Sequence, residues 1–110
     1  MRISTYPFNS FLNAVTSMAT DERPLSSRLV AAHVITSMVQ EGDFKNHHTL
    51  AEFKKLREML TKVQEFGSAS VRATCVAMSD EEAREAAEQF ITVLTRLVID
   101  GDEGNVTLAG

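Results

Sequence analysis

Apolar residues recur along most of this chain at the spacing of an α-helix. Side chains three and four positions apart share one face of a helix, so each such stretch predicts a helix that turns its apolar face toward a common core. The sequence predicts an all-α fold, a compact bundle of four main helices. The predicted helices run from about Pro7 to Met18, from about Leu25 to Glu41, from Thr49 to Gly67, and from Ser79 to about Ile99.

The second predicted helix is apolar on most sides. Its polar residues form only a narrow stripe, which consists of Ser26, His33, Ser37 and Gln40. Such a helix should contact neighbours around most of its circumference, either at the centre of the domain or in an interface between subunits. Gly42 is its predicted end, because glycine is the usual residue just after a helix.

Capping boxes mark two predicted helix starts. Thr49 with Glu52 and Ser79 with Glu82 both match the motif, in which the hydroxyl and the carboxylate accept hydrogen bonds from each other's free backbone amides. We therefore expect the third helix to begin at Thr49 and the fourth at Ser79.

The segment between the third and fourth predicted helices fits two structures. Val71, Cys75 and Met78 share one helical face, whereas the β-branched Val71, Thr74 and Val76 would also suit a strand. We favour a short helix, which adds one short element to the bundle.

The end of the chain is predicted to be an irregular acidic tail. Asp100-Gly101 should end the fourth helix, and residues 106–108 either pair as a strand with residues 2–5 or fray. A calcium loop starting at Asp100 would need an oxygen ligand at its fifth position and glycine at its sixth. Those positions are Gly104 and Asn105, so a solvated turn is the better interpretation.

Composition indicates one folded domain spanning residues 1–110. Hydrophobic residues make up 44% and charged residues 24%, and no repeat or Pro/Gly/Ser linker divides the chain. The single cysteine, Cys75, cannot form an internal disulfide, which favours a reducing, cytoplasmic location. The longest apolar stretch, residues 29–35, is too short to cross a membrane, and the first residues lack the apolar run of a signal peptide.

Net charge argues against nucleic acid as the main partner. The chain carries a formal charge of −4, which a phosphate backbone repels at long range. A helix-turn-helix is disfavoured, because the connection from Gly42 to His48 is longer than that motif allows. The basic residues are also interrupted by Glu52, Glu58 and Glu65. Nucleic-acid binding remains the alternative function. It would use Lys45, Lys54, Lys55, Arg57 and Lys62.

None of the candidate metal-binding, catalytic or nucleotide-binding motifs in the sequence is complete. His47 and His48 stand near Asp43 and Glu52, but the predicted capping box already employs Glu52, and no cysteine or third histidine completes a metal shell. Cys75 lies in a mixed apolar segment without a nucleophile signature, which favours a buried thiol. The glycines form neither a P-loop nor a dinucleotide motif. We therefore expect no metal, no cofactor and no enzymatic activity.

By elimination, the sequence favours a small soluble interaction or regulatory protein that binds another protein. The second helix has more apolar surface than a four-helix domain normally buries, which predicts self-association, with a homodimer as the commonest form. Aromatic residues crowd the first helix, and Phe44 lies in a connection with no apolar stripe of its own. The predicted interface residues are Phe8, Phe11, His33 and Phe44.

Overall fold

The computed structural model describes residues 6–65 and 67–109, with the backbone alone at residues 65, 69 and 102–109. It confirms the predicted all-α class, with four long helices and one short one. None of the described helices is both long and apolar enough to cross a lipid bilayer. The elements are α1 (Tyr6–Thr20), α2 (Leu25–Thr36), a single 3-10 turn (Glu41–Asp43), α3 (His47–Leu60), β1 (Gln64–Glu65), β2 (Ser68–Ala69), α4 (Val71–Ala77) and α5 (Asp80–Ala109).

An aromatic cluster joins α1, α3 and α5 at the centre of the core. The ring of Phe11 meets that of Phe53 edge to face, with centroids 6.2 Å apart, and lies 5.9 Å from that of Phe90. Phe44, which precedes α3, packs against Phe53 at 4.6 Å. Such ring pairs add to the stability gained from burying the apolar area alone.

Arg28 ties α2 to the end of α1. Its guanidinium donates hydrogen bonds to the Met18 carbonyl at 3.0 Å and to the Arg23 carbonyl at 2.8 Å. The last carbonyls of a helix have no partner within the helix, so a cation there satisfies a backbone acceptor and suits the helix dipole. Pro24 is the N-cap residue of α2, and the Arg28 amide donates to its carbonyl at 3.1 Å.

The predicted end of α2 at Glu41 and Gly42 is wrong, because the helix ends at Thr36. Side-chain hydroxyls compete for the last carbonyls of this helix. Thr36 donates to the carbonyl of residue 32 at 3.3 Å, and Ser37 donates to that of Val34 at 2.8 Å. Successive serine and threonine residues that bond back to the helix disfavour its continuation.

The predicted start of α3 at a Thr49–Glu52 capping box is also wrong. The helix begins two residues earlier, and Asn46 is its N-cap, with a side-chain oxygen that accepts from the His48 amide at 2.8 Å. Asparagine is among the strongest N-cap residues. Thr49 is therefore already inside the helix.

Thr49 and Glu52 instead form a polar seam with α5. The Thr49 hydroxyl donates to Asp100 Oδ2 at 2.6 Å. Gln89 Nε2 donates to the backbone carbonyl of Glu52 at 2.9 Å and to its Oε1 at 2.8 Å. Both Thr49 and Gln89 are buried, so these bonds satisfy polar groups that water cannot reach.

The second predicted capping box is confirmed at the start of α5. The Ser79 amide donates to Glu82 Oε1 at 2.9 Å, and the Glu82 amide donates to Ser79 Oγ at 3.1 Å. The bond from the Ser79 amide is the main reason that the pKa of Glu82 is lowered.

The predicted end of α5 at Asp100-Gly101 is wrong, as is the irregular tail. The helical backbone continues through Ala109. Glycine ends a helix by adopting a positive φ angle, and among the described glycines only Gly67 does so. Residues 106–108 are helical, while residues 2–5, their suggested strand partner, lie outside the described residues.

A small hairpin replaces the predicted last turns of the third helix. α3 ends at Leu60, and β1 pairs antiparallel with β2 through Gln64 with Ala69 and Glu65 with Ser68. Gly67 lies in the connection at a φ of 81°, a conformation that other residues rarely adopt.

The favoured short helix in the next segment is confirmed as α4. Ser70 caps it by accepting from the Ala73 amide at 3.0 Å. The Thr74 hydroxyl accepts from the Val63 amide at 2.9 Å and donates to the Ser70 carbonyl at 2.6 Å. Thr74 thereby fixes α4 against the chain that leads into the hairpin.

Candidate interaction surfaces

Three apolar side chains are exposed in the last turn of α2 and just beyond it. Val34 and Met38 are 64% and 72% exposed, and Ile35 lies between them at the edge of exposure. We call these three residues the α2 apolar patch. The opposite face of the helix is buried in the core through Leu29 and residue 32. Other parts of the chain therefore cover only some of the apolar side chains of the α2 region.

The structure separates the four predicted interface residues into two pairs. Phe11 and Phe44 are buried in the aromatic cluster, so neither can contact a partner in this fold. Phe8 and His33 are partly exposed and stay predicted interface residues. Burial lowers the pKa of His33, since desolvation disfavours the charged imidazolium.

Sequence reasoning missed the members of the α2 apolar patch. A stretch without Asp, Glu, Lys or Arg spans positions 29–40, and its many apolar residues indicated surplus apolar surface without showing which side stays uncovered. That choice depends on where α1 and α4 pack, since both contact α2.

Two of the five basic residues in the alternative nucleic-acid site are already paired. Lys54 Nζ lies 3.7 Å from Glu41 Oε1, and Arg57 is hydrogen-bonded to the same carboxylate while its guanidinium lies 5.5 Å from the ring centroid of Phe53. The hydrogen bond from Arg57 and the charge of Lys54 lower the pKa of Glu41. The other three, Lys45, Lys55 and Lys62, are exposed.

His47 and His48 are exposed on the first turn of α3, with ring centroids 5.8 Å apart. The Glu52 carboxylate turns away toward Gln89 in the polar seam. Among the residues that the structure describes, no three His, Cys, Asp or Glu side chains come close enough to hold a metal ion.

Cys75 lies at an open cleft of about 400 Å³ between the starts of α2 and α5 and the end of α4. The thiol is buried, and its burial raises its pKa. Because the thiolate is the reactive form, this cysteine is a poor nucleophile at neutral pH. The cleft is lined by Pro24, Leu25 and Ser26 at the start of α2, by Cys75, Val76 and Met78 from the α4 region, and by Asp80, Ala83 and Arg84 from α5.

Comparison of the chain with protein-family models, curated proteins and solved structures found no match in any of the three. Its function must therefore be inferred from its own residues.

Proposed function

We propose that this protein acts by binding another protein, and that its first partner is a second copy of itself, contacted through the α2 apolar patch. The observation that carries the proposal is the exposure of Val34 in the last turn of α2 and of Met38 just beyond it, at 64% and 72%. Contiguous exposed apolar side chains on a soluble domain mark interaction sites.

The absence of charged residues from the sequence around the α2 apolar patch allows a second copy of the chain to bind there. Each chain carries a formal charge of −4, yet positions 29–40 contain no Asp, Glu, Lys or Arg. Twofold symmetry would bring the same uncharged stretch of each copy together, which avoids like-charge repulsion at the contact. His33 precedes Val34 and, being partly exposed, would lie at the edge of this interface.

The patch is small for a permanent dimer. A stable interface buries about 800 Å² on each partner, far more than three side chains supply. We therefore expect a weak dimer with a dissociation constant in the micromolar range, about −8 kcal/mol or less favourable.

Light scattering coupled to size exclusion, run over a series of protein concentrations, tests the proposal. The mass of the wild type should rise from the monomer value of 12.1 kDa toward twice that value as concentration increases. The double variant Val34→Lys/Met38→Lys should stay monomeric, because two copies would bring four like charges together.

Val76→Lys is the matched control, since Val76 is an equally exposed apolar residue on α4. It should dimerise as the wild type does. A wild type that stays at the monomer mass throughout, or a double variant that dimerises normally, would refute the proposal.

A further inference from the structure

We propose that the cleft beside Cys75 and the adjoining side of α5 form a second docking site, which takes a basic amphipathic helix from a partner protein. This site is separate from the α2 apolar patch and independent of self-association. It rests on three features: the cleft, an apolar stripe along α5, and the charges beside that stripe.

The cleft is open to solvent and is lined in part by apolar side chains. Leu25, Met78 and Ala83 line it together with the Cys75 thiol, and Val76 stands on its lining with 74% of its side chain exposed. A cleft of about 400 Å³ lies within the size range of protein binding pockets. It can receive a large apolar side chain from a partner.

The apolar stripe on α5, formed by Ala87, Ile91, Leu94 and Val98, begins one turn beyond the cleft. Arg84 lines the cleft, and Ala87, Ile91, Leu94 and Val98 follow it at alternating spacings of three and four. Residues at this spacing lie on one side of a helix and form the seam along which a second helix packs.

Exposure along this stripe leaves room for a partner. Ile91 and Val98 are 48% and 43% exposed, while Ala87 and Leu94 are half-buried against the core. At 1.5 Å per residue the surface from Arg84 at the cleft to Val98 at the end of the stripe is about 21 Å long, which matches a partner helix of about 14 residues.

The charges beside the stripe select a basic partner. Glu81 and Glu88 are seven residues apart, directly next to the stripe in the positions that pair with charged residues of a facing helix. Residues 80–88 carry five carboxylates and one basic residue. The salt bridges found within the described residues involve none of these carboxylates. A second copy of α5 would bring the same carboxylates and be repelled, whereas lysine or arginine residues would be attracted.

Fluorescence anisotropy with the full chain and three labelled synthetic peptides tests this site. The first peptide is a helix of about 14 residues with leucine at the seam positions and lysine elsewhere. The second has the same composition in scrambled order, and the third has glutamate in place of lysine. The first should bind about tenfold or more tightly than either of the others and should weaken as salt is added.

Variants locate the binding. Val76→Lys at the cleft and Ile91→Ser on the stripe should each weaken the first peptide about fivefold or more, and Glu81→Gln/Glu88→Gln should weaken it and reduce its salt dependence. Circular dichroism of each variant checks that the helices are retained. The control Val34→Lys/Met38→Lys should bind the peptide as the wild type does.

The results also separate this proposal from self-association. Loss of dimerisation in the control variant with unchanged peptide binding supports two independent surfaces. No binding of the first peptide, equal binding of the scrambled peptide, preference for the acidic peptide, or wild-type affinity in the cleft and stripe variants would each overturn the docking site.

Discussion

The hydroxyl of Thr49 contributes to the stability of the fold. It is buried, and it donates to Asp100 Oδ2 at 2.6 Å, while the other carboxylate oxygen is buried with no partner among the described residues. Thr49→Ala leaves this carboxylate without a donor from α3. We expect the variant to lose about 2 kcal/mol in the free energy of unfolding, measured by urea denaturation.

Thr49→Ser is the matched control, because it keeps the hydroxyl and removes one methyl group, at a cost of about 1 kcal/mol. Asn46→Ala should separately cost about 1 kcal/mol, because Asn46 rather than Thr49 caps α3. If Thr49→Ala is no less stable than Thr49→Ser, the hydrogen bond to Asp100 contributes nothing.

His33 should make stability depend on pH near neutrality. Burial lowers its pKa in the folded chain below the ordinary value of 6.5, so the unfolded chain binds a proton first as pH falls. The stability from the neutral imidazole is complete above pH about 6.5 and decreases as pH falls below that value.

The measurement compares urea unfolding of wild type and His33→Gln between pH 7.5 and 5. The wild type should lose more stability over this interval than the variant. The carboxyl groups with lowered pKa values, Asp21, Glu41 and Glu82, titrate below this interval and affect both proteins alike. Parallel pH profiles would contradict the prediction.

At the scale of the helices and turns, two glycines should respond oppositely to the same substitution. Gly101 lies inside α5, and a Cβ there would meet no atom within 4 Å. Gly101→Ala should therefore stabilise the protein by up to about 1 kcal/mol, through higher helix propensity. Gly67 has equal space but a φ of 81°, so Gly67→Ala should destabilise it by about 1 kcal/mol.

Thermal unfolding of the two variants beside the wild type measures both changes. A lower melting temperature for Gly101→Ala would indicate that this glycine ends the helix, as the sequence suggested. An unchanged melting temperature for Gly67→Ala would contradict the strain expected at the hairpin.

The two capping boxes show how far local patterns predict helix starts. Ser79 and Glu82 are exposed, so nothing competes for their side chains and the motif forms. Thr49 and Glu52 have the same pattern, but α5 packs over them and takes both side chains into the polar seam. A local sequence motif cannot show which of its side chains will form hydrogen bonds with another helix instead.

The sequence likewise predicted only part of the candidate interaction surface. Apolar residues on most sides of α2 correctly indicated exposed apolar surface. The aromatic residues chosen as interface anchors included Phe11 and Phe44, which are buried in the core. Smaller residues, Val34 and Met38, remain outside. Large aromatic rings contribute most to stability when buried, so size favours the core over the surface.

At the scale of the whole molecule, charge argues against binding to nucleic acid. The net charge is −4, and Glu41 pairs with Lys54 and Arg57 in the basic segment. We expect no salt-sensitive binding to duplex DNA at physiological salt, measured by fluorescence anisotropy. Salt-sensitive binding that is lost in Lys54→Gln/Lys55→Gln/Lys62→Gln would instead support the alternative function.

The hairpin at Gly67 also divides the chain into two segments that contain different helices. The residues before it supply α1 to α3, and those after it supply α4 and α5. Non-covalent contacts hold the two pieces together, among them the packing of Phe11 on Phe90 and the bond from Thr49 to Asp100. A chain cut at this exposed glycine should thus reassemble from its fragments, so that the protein could serve as a split tag whose association reports the proximity of two fused proteins.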